Sequence, residues 1–143
     1  MSEKKKILFI CTHNSARSQM AEGIMKSLYG EYYDVYSAGI EPLEVNPYAV
    51  KVMKEIGLDI SKQRSKSVDE FRDFRFDYVV TVCDQAKESC PFFPGGAIIH
   101  KGFKDPSPSS GNEDEILASF RRTRDEIKIW IQEALKTRIG EDQ

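Results

Sequence analysis

Short apolar segments alternate with amphipathic helical patterns along this 143-residue chain, and that alternation restricts the folds that it can adopt. The segment 6–10, KILFI, is typical of a buried strand. In the segment 18–29, Met20, Ile24 and Leu28 recur at steps of four, as one face of a helix requires. The chain therefore begins with a strand and a helix that are joined by a short loop.

The same alternation continues along the rest of the sequence. Further strands are predicted at 32–39, 77–83 and 97–101, and further helices at 47–57, at 68–74 and after Asn112, which with Glu115 caps a long last helix. There is no repeat, linker or low-complexity segment. We therefore predict an α/β protein in which residues 1–143 form a single domain, a three-layer α/β/α fold with a central four-stranded parallel sheet.

Composition and charge exclude several classes of protein. A hydrophobic content of 40% suits one compact core, and a formal net charge of -2 gives no broad basic surface for nucleic acid. No apolar run approaches the roughly 18 residues of a membrane span, and the basic start is followed by too short an apolar stretch for a signal peptide. We expect a cytoplasmic monomer that binds neither nucleic acid nor a membrane.

The three cysteines, Cys11, Cys83 and Cys90, call for a chemical explanation or for burial. An odd number in a reducing compartment argues against a permanent disulfide framework. The two histidines, His13 and His100, have no partner at a metal-ligand spacing. We therefore predict no metal and no cofactor.

The loop 11–18, CTHNSARS, has the features of an oxyanion site. A loop that joins a strand to a helix N-terminus gathers backbone N–H groups around an anion, and the same field favours the thiolate form of Cys11. Arg17 can donate two parallel hydrogen bonds to an oxyanion above the sulfur. Asn14 tolerates a left-handed turn, and Ser18 either caps the helix or donates to the thiolate. The predicted oxyanion-binding residues are Thr12, His13, Asn14, Ser15, Ala16, Arg17 and Ser18.

The positions of Cys11 and Cys83 suggest redox chemistry. Each is the last residue of its predicted strand, and the carboxyl ends of parallel strands meet at one edge of a sheet. If the first and third strands pair, the two thiols start within reach of a disulfide. By itself, the loop indicates only a thiolate that attacks an oxyanion, which fits both phosphoester hydrolysis and reduction of a phosphate analogue. A buried cysteine and a surface-paired arginine are the simpler alternative.

The segment CTHNSARSQMAE resembles the phosphate-binding loop of the low-molecular-weight protein tyrosine phosphatase superfamily. Together with SAG, TVCDQAKESCPFFPG, KDPS and FRRTRDEI, it is most similar to the thioredoxin-coupled arsenate reductases of that superfamily, and the resemblance spans nearly the whole chain. The pair Cys83 and Cys90 separates the reductases from the phosphatases, which need only one reactive cysteine.

The resemblance implies a role for each reactive residue. Cys11 would attack arsenate that the loop amides and Arg17 hold, and Asp105 would protonate the leaving oxygen. Cys83 would then attack Cys11 and release arsenite, after which Cys90 would attack Cys83. The resulting Cys83–Cys90 disulfide would be reduced by thioredoxin or a similar thiol donor. Phosphate and sulfate are expected to bind in the loop as analogues of arsenate.

Two alternatives to a reductase remain open at this point. A low-molecular-weight phosphatase would use Cys11, Arg17 and Asp105 in the same way, and its other cysteines would protect the nucleophile from oxidation. A redox or oxyanion sensor would keep the loop without needing Asp105, whose Asp-Pro sequence is also typical of an ordinary turn.

The resemblance also bears on a cation and on a conformational change. Related reductases can bind potassium near the loop; Asn14, Glu22 and Ser37 match that site, but Lys66 stands in the place of its acid, so we predict no potassium ion. The segment 84–89 has helix-compatible residues, and seven helical residues span about 10.5 Å, beyond the roughly 7 Å that a disulfide tolerates. A Cys83–Cys90 disulfide would thus require this segment to unwind, helped by Gly95 and Gly96.

Overall fold

The computed structural model of the protein describes residues 4–84, 86, 96–106 and 111–135. The strands in these residues are β1 (Lys5–Cys11), β2 (Tyr33–Gly39), β3 (Tyr78–Thr81) and β4 (Ala97–His100). The α-helices there are α1 (Arg17–Tyr29), α2 (Pro47–Glu55) and α3 (Glu113–Trp130), with a 3-10 helix at Val68–Phe71 and a π-helical continuation of α3 at Ile131–Leu135.

The sheet confirms the predicted parallel architecture. Its order in the described residues is β2-β1-β3-β4, and each neighbouring pair is parallel. On β1 the side chains of Ile7, Leu8, Phe9 and Ile10 are all fully buried. Because consecutive strand residues face opposite sides of a sheet, both faces are covered at β1, as a layered α/β fold requires.

Helix α2 begins at Pro47, as the sequence suggests. Asn46 caps α2 by accepting a hydrogen bond from the Tyr48 N–H at 2.8 Å, and Pro47 occupies its first position. Gly57, with φ of +80°, ends the helix, and its N–H donates to the Lys54 carbonyl. Helix α1 packs on β1 and β2, and α3 packs against both α1 and α2.

Two elements are shorter than predicted. The strand predicted at 77–83 ends at Thr81, because the chain turns into a helical conformation at Asp84. The helix predicted at 68–74 is a single 3-10 turn. This short turn allows Phe71, Phe74 and Phe76 all to contact the ring of Tyr36, at centroid distances of 5.6, 5.8 and 5.6 Å. A continuous α-helix would direct residue 76 well away from residue 71.

Candidate active site

The loop after β1 places Cys11 and Arg17 at its two ends. Cys11 is the last residue of β1 and is buried, whereas Arg17 is the first residue of α1. Asn14 has a φ of 49°, the left-handed conformation that was expected. No side chain caps α1; instead, the Ser18 Oγ lies 2.9 Å from the Cys11 Sγ. Of the two contacts predicted for Ser18, the structure has the one with the thiol.

The carbonyl groups of the loop are bound by the segment 40–46. The N–H groups of Ile40, Glu41, Leu43 and Asn46 donate to the carbonyls of Cys11, Thr12, His13 and Ser15 at 3.2, 2.8, 2.9 and 2.9 Å respectively. With the carbonyls held on this side, the N–H groups of the loop remain available to an anion on the other. Sequence reasoning missed this segment, because backbone donors leave no signal in residue type.

Gly39 lets the end of β2 approach this loop closely. A Cβ atom at Gly39 would lie 2.8 Å from both the backbone nitrogen of Asn14 and the carbonyl carbon of His13. Such contacts are shorter than packed atoms tolerate, so a side chain here would displace the loop. This close approach explains why the SAG segment ends in a glycine, which has no side chain.

Asn14 is fixed by buried polar groups from several directions. Its backbone carbonyl accepts from the Gln19 Nε2 at 3.0 Å and from the Ser65 Oγ at 2.7 Å. Its side-chain Oδ1 accepts from the Lys66 backbone N–H at 2.9 Å, and its Nδ2 donates to the Ser18 Oγ at 2.7 Å. Gln19 and Ser65 were not identified from the sequence, since a single polar residue carries no pattern.

A cavity of about 170 Å³ opens above Cys11. It is lined by Cys11, His13, Ser15, Ala16, Arg17, Leu43, Asn46 and Asp105. Pockets for drug-sized molecules usually measure roughly 300 to 1,000 Å³, so this one suits a small anion. The His13 ring is held at the cavity by a hydrogen bond from its Nδ1 to the Glu41 carbonyl at 2.9 Å, because a carbonyl can only accept.

Arg17 and Asp105 meet at the edge of this cavity. The Arg17 Nη2 lies 3.6 Å from the Asp105 Oδ2, and the Arg17 Nη1 donates to the Phe103 carbonyl at 3.0 Å. The side chain of Arg17 is nearly buried, whereas that of Asp105 is 37% exposed. The structure thus brings a carboxyl group, a guanidinium and a thiol to one small cavity.

Cys83 lies beside the loop, next to Thr12. The β1–β3 register pairs Ile10 with Thr81, and the Val82 N–H donates to the Ile10 carbonyl, which carries the hydrogen bonding one residue beyond the end of β3. The Cys83 Sγ lies 3.2 Å from the Thr12 Oγ1. It also accepts a hydrogen bond from the Ala86 N–H at 3.4 Å, in the manner of a helix cap.

Cys83 therefore differs in one respect from its prediction. It was expected to end its strand as Cys11 does, but it lies two residues beyond the end of β3, at the start of a helical turn. Cys11 and Cys83 are both buried free thiols.

Cys90 lies outside the described residues, and so does most of the predicted helix 84–89. Asp84 and Ala86, the two positions of that segment that are described, are both helical. Gly95 is likewise outside the described residues, whereas Gly96 precedes β4.

Within the described ranges, no three or more His, Cys, Asp and Glu side chains come together as a metal site would require. None of the helices in that part of the chain has the length and apolar content that crossing a bilayer requires.

The chain belongs to the low molecular weight phosphotyrosine protein phosphatase family, whose family model matches residues 6–143. Within this class, several of its relatives are arsenate reductases. One from Halalkalibacterium halodurans is 53% identical over 125 residues, which cover 87% of this chain and 90% of that protein.

Solved structures of arsenate reductases have a similar fold. An arsenate reductase in the phosphate binding state has a TM-score of 0.81 and 32% identity, and the match covers 93% of this chain and 98% of that one. A thioredoxin-dependent arsenate reductase from Corynebacterium glutamicum has a TM-score of 0.70 and 29% identity, covering 99% of this chain and 65% of that one. The four-stranded parallel fold is therefore that of these enzymes.

Proposed function

We propose that this protein is an arsenate reductase that supplies both electrons from its own thiols. The observation that carries the proposal is the position of Cys83, whose sulfur lies 3.2 Å from the hydroxyl of Thr12, the residue after Cys11. A hydrolase of this class needs one thiol at its oxyanion loop. A second buried thiol beside the same loop fits a reaction that ends in a disulfide.

The first step forms a bond between sulfur and arsenic. The Cys11 thiolate, beside the Ser18 hydroxyl, attacks arsenate held by the loop N–H groups and by the Arg17 guanidinium. Expulsion of hydroxide is costly without a proton, which Asp105 at the cavity edge donates so that water leaves. The product is a Cys11–arsenic(V) adduct.

The second step transfers two electrons to arsenic. The Cys83 thiolate attacks the Cys11 sulfur, the sulfur–arsenic bond breaks, and its electron pair stays on arsenic as arsenite leaves. The Cys90 thiolate then attacks Cys83 and releases the Cys11 thiolate, leaving a Cys83–Cys90 disulfide. A dithiol of the thioredoxin type reduces that disulfide, in keeping with the thioredoxin-dependent relative of similar fold.

The remaining features of the proposal concern the whole chain. Residues 1–143 act as one domain and as a monomer in the cytoplasm, where a thiol donor keeps the cysteines reduced. Neither a metal nor an organic cofactor takes part, and neither nucleic acid nor a membrane is a partner.

A phosphatase is the second candidate, and one observation favours it. The thiol, guanidinium and carboxyl groups of Cys11, Arg17 and Asp105 line one cavity without any contribution from Cys83. These three groups are sufficient to hydrolyse a phosphomonoester through a phosphocysteine intermediate.

A single-turnover experiment separates the two candidates. The fully reduced protein is mixed with equimolar arsenate and no external thiol, arsenite is quantified, and disulfides are mapped by mass spectrometry. Cys83→Ser and Cys90→Ser are measured in parallel. We expect about one arsenite per chain and a Cys83–Cys90 disulfide, with arsenite release abolished by Cys83→Ser, because each turnover consumes one pair of thiols. Unaltered thiols with intact hydrolysis of an aryl phosphate would instead identify a phosphatase.

A further inference from the structure

A chain of hydrogen bonds leads from Cys11 to a buried carboxylate. The Asn14 Nδ2 donates to the Ser18 Oγ at 2.7 Å and to the Ser37 Oγ at 2.9 Å. The Ser37 hydroxyl donates to the Glu22 Oε1 at 2.5 Å. Because Ser18 accepts from Asn14, its own hydrogen is free for the Cys11 sulfur 2.9 Å away.

Two residues, Asn14 and Glu22, determine which group donates in each of these hydrogen bonds. The Asn14 Oδ1 accepts from a backbone N–H, that of Lys66, at 2.9 Å, so its amide nitrogen must face the two serines. At the other end, an ionised Glu22 can only accept, so it takes the single hydrogen of Ser37. In this arrangement the Ser18 hydroxyl donates and the Cys11 sulfur accepts.

Glu22 is buried, and two ammonium groups compensate its charge. The Lys26 Nζ lies 2.7 Å from Oε2, but the Lys26 side chain is 51% exposed. The Lys66 Nζ lies 3.6 Å from Oε1, donates to the Arg64 carbonyl at 2.7 Å, and belongs to a side chain that is only 12% exposed. An ion pair shielded from water is screened far less than an exposed one. Solvent therefore screens the pair of Glu22 with Lys66 less than the shorter pair of Glu22 with Lys26.

The Lys66 ammonium lies near one anionic and two cationic side chains, those of Glu22, Arg64 and Lys26. Burial lowers the pKa of its ammonium, the Glu22 carboxylate partly offsets this, and the nearby cations Arg64 and Lys26 lower the pKa further. The charged form is thus held in place by Glu22 against the cost of desolvation.

The residues present do not fit a potassium ion. In related reductases such an ion binds near positions that match Asn14, Glu22 and Ser37. Here both carboxylate oxygens of Glu22 already face an ammonium group, and a further cation between Lys26 and Lys66 would be repelled by both.

We propose that the Lys66 ammonium is a built-in cation beside Glu22 that holds Ser37, Asn14 and Ser18 in the arrangement that directs the Ser18 hydroxyl toward the Cys11 sulfur. Lys66 is a positioning residue, since it acts through this hydrogen-bond chain. Its backbone N–H binds the middle of the hydrogen-bond chain, at Asn14, and its side chain lies beside the end of that chain, at Glu22. The inference rests on the proposed function only in taking Cys11 as the nucleophile.

The test measures how fast iodoacetamide alkylates Cys11, identified by peptide mass spectrometry, in choline chloride and in potassium chloride of equal ionic strength. Lys66→Met removes the ammonium but keeps the backbone N–H that binds Asn14. The matched control is Lys62→Met, at an exposed lysine four residues before Lys66. Far-UV circular dichroism establishes that each variant is folded.

In choline chloride at pH 7, Lys66→Met is expected to slow alkylation of Cys11 by about three- to tenfold, because the Ser18 hydroxyl is then held less firmly toward the Cys11 sulfur. Potassium chloride should restore much of the alkylation rate in Lys66→Met, because a potassium ion can then occupy the space beside Glu22 that the Lys66 ammonium filled. Wild type and Lys62→Met should show equal rates in both salts. Glu22→Gln, which removes the charge and keeps the shape, should slow alkylation in both salts.

The proposal is overturned if Lys66→Met is alkylated as fast as wild type, or if Lys62→Met is slowed as much as Lys66→Met. A wild-type rate that rises in potassium chloride would also overturn it, because the site would then take an external ion. Since no arsenate is present, these results can be read whether or not the single-turnover assay identifies a reductase.

Discussion

Thr12 connects the two thiols of the proposed cascade. Its backbone follows Cys11, and its hydroxyl lies 3.2 Å from the Cys83 sulfur. Hydrogen bonds to charged groups contribute about 1.5 to 3 kcal/mol, so a hydroxyl at this distance can stabilise the Cys83 sulfur as it attacks Cys11. The residue is therefore placed to activate the second nucleophile as well as to form the loop.

Replacement of this hydroxyl should separate the second step from the first. Thr12→Val keeps the shape of the side chain, and we expect arsenite release in a single turnover to slow by about tenfold because the Cys83 thiolate loses a donor. Rapid quenching followed by thiol mapping would measure formation of the Cys11–Cys83 disulfide. Thr12→Ser, which restores the hydroxyl, is the control. Equal rates in Thr12→Val and Thr12→Ser would show that the hydroxyl has no part in this step.

Gly39 should be sensitive to a single added methyl group. In Gly39→Ala the new Cβ would lie 2.8 Å from the backbone of Asn14 and of His13, so the loop must shift. We expect a loss of about 1 to 3 kcal/mol in the free energy of unfolding and weaker sulfate binding. Urea denaturation and calorimetry would measure the two effects. Gly102→Ala is the control, because its nearest contact would be 3.5 Å, and a comparable loss there would contradict the explanation.

At the scale of elements, an ion-pair cluster joins α2 to α3. The Glu55 carboxylate accepts from Arg121 at 2.8 Å and from Arg124 at 2.9 Å, and Arg124 also donates to the Val52 carbonyl at 2.9 Å. Hydrogen bonding from Arg121 is the main reason that the pKa of Glu55 lies below its usual value of 4.5. The cluster orients α3 against the helix that follows the segment 40–46.

Removal of the Glu55 charge should lower the free energy of unfolding by an amount that depends on pH. Because the pKa of Glu55 is lower in the folded state, its stabilisation is present above the unfolded pKa of about 4.5 and is lost as the pH falls through the folded value. Because Glu55 is partly exposed, Glu55→Gln should lower the free energy of unfolding by at most about 1 kcal/mol at pH 7. Urea denaturation at pH 7 and at pH 3 would measure the difference.

Glu126→Gln, at an exposed position of α3, is the control for Glu55→Gln. The difference between wild type and Glu55→Gln should also shrink in high salt, since exposed ion pairs are screened. A loss of stability that is the same at pH 3 as at pH 7 would contradict an electrostatic origin.

The elements differ in how well the sequence predicts them. Strand β1 and helix α1 were predicted closely, because an apolar run and a strict step of four have few other interpretations. The 3-10 turn at Val68–Phe71 and the early end of β3 were not predicted, because contacts with Tyr36 and the cap at Cys83 determine them. Tertiary contacts of this kind leave no periodic signal in the local sequence.

At the scale of the whole molecule, the parallel sheet assembles the site from distant segments. The ends of β1, β2 and β3 bring the loop, the segment 40–46 and Cys83 to one edge. From this rule of parallel sheets the sequence predicted Cys11 and Cys83 at the same edge, and the structure places Cys83 beside Thr12, the residue after Cys11. It did not predict Gln19, Ser65 or the backbone donors of the segment 40–46, whose roles depend on three-dimensional proximity alone.

Because the site is made from these separate segments, an anion bound in it should stabilise the entire fold. A ligand that binds only the folded protein adds about 2.7 kcal/mol at a concentration one hundred times its Kd. For a chain of this size that corresponds to a rise of roughly 5 to 10 °C in Tm. Thermal unfolding with increasing sulfate would measure the rise. In Arg17→Met, which removes the guanidinium at the cavity, the rise should be much smaller. An equal rise in Arg17→Met and wild type would show that sulfate stabilises the protein from elsewhere.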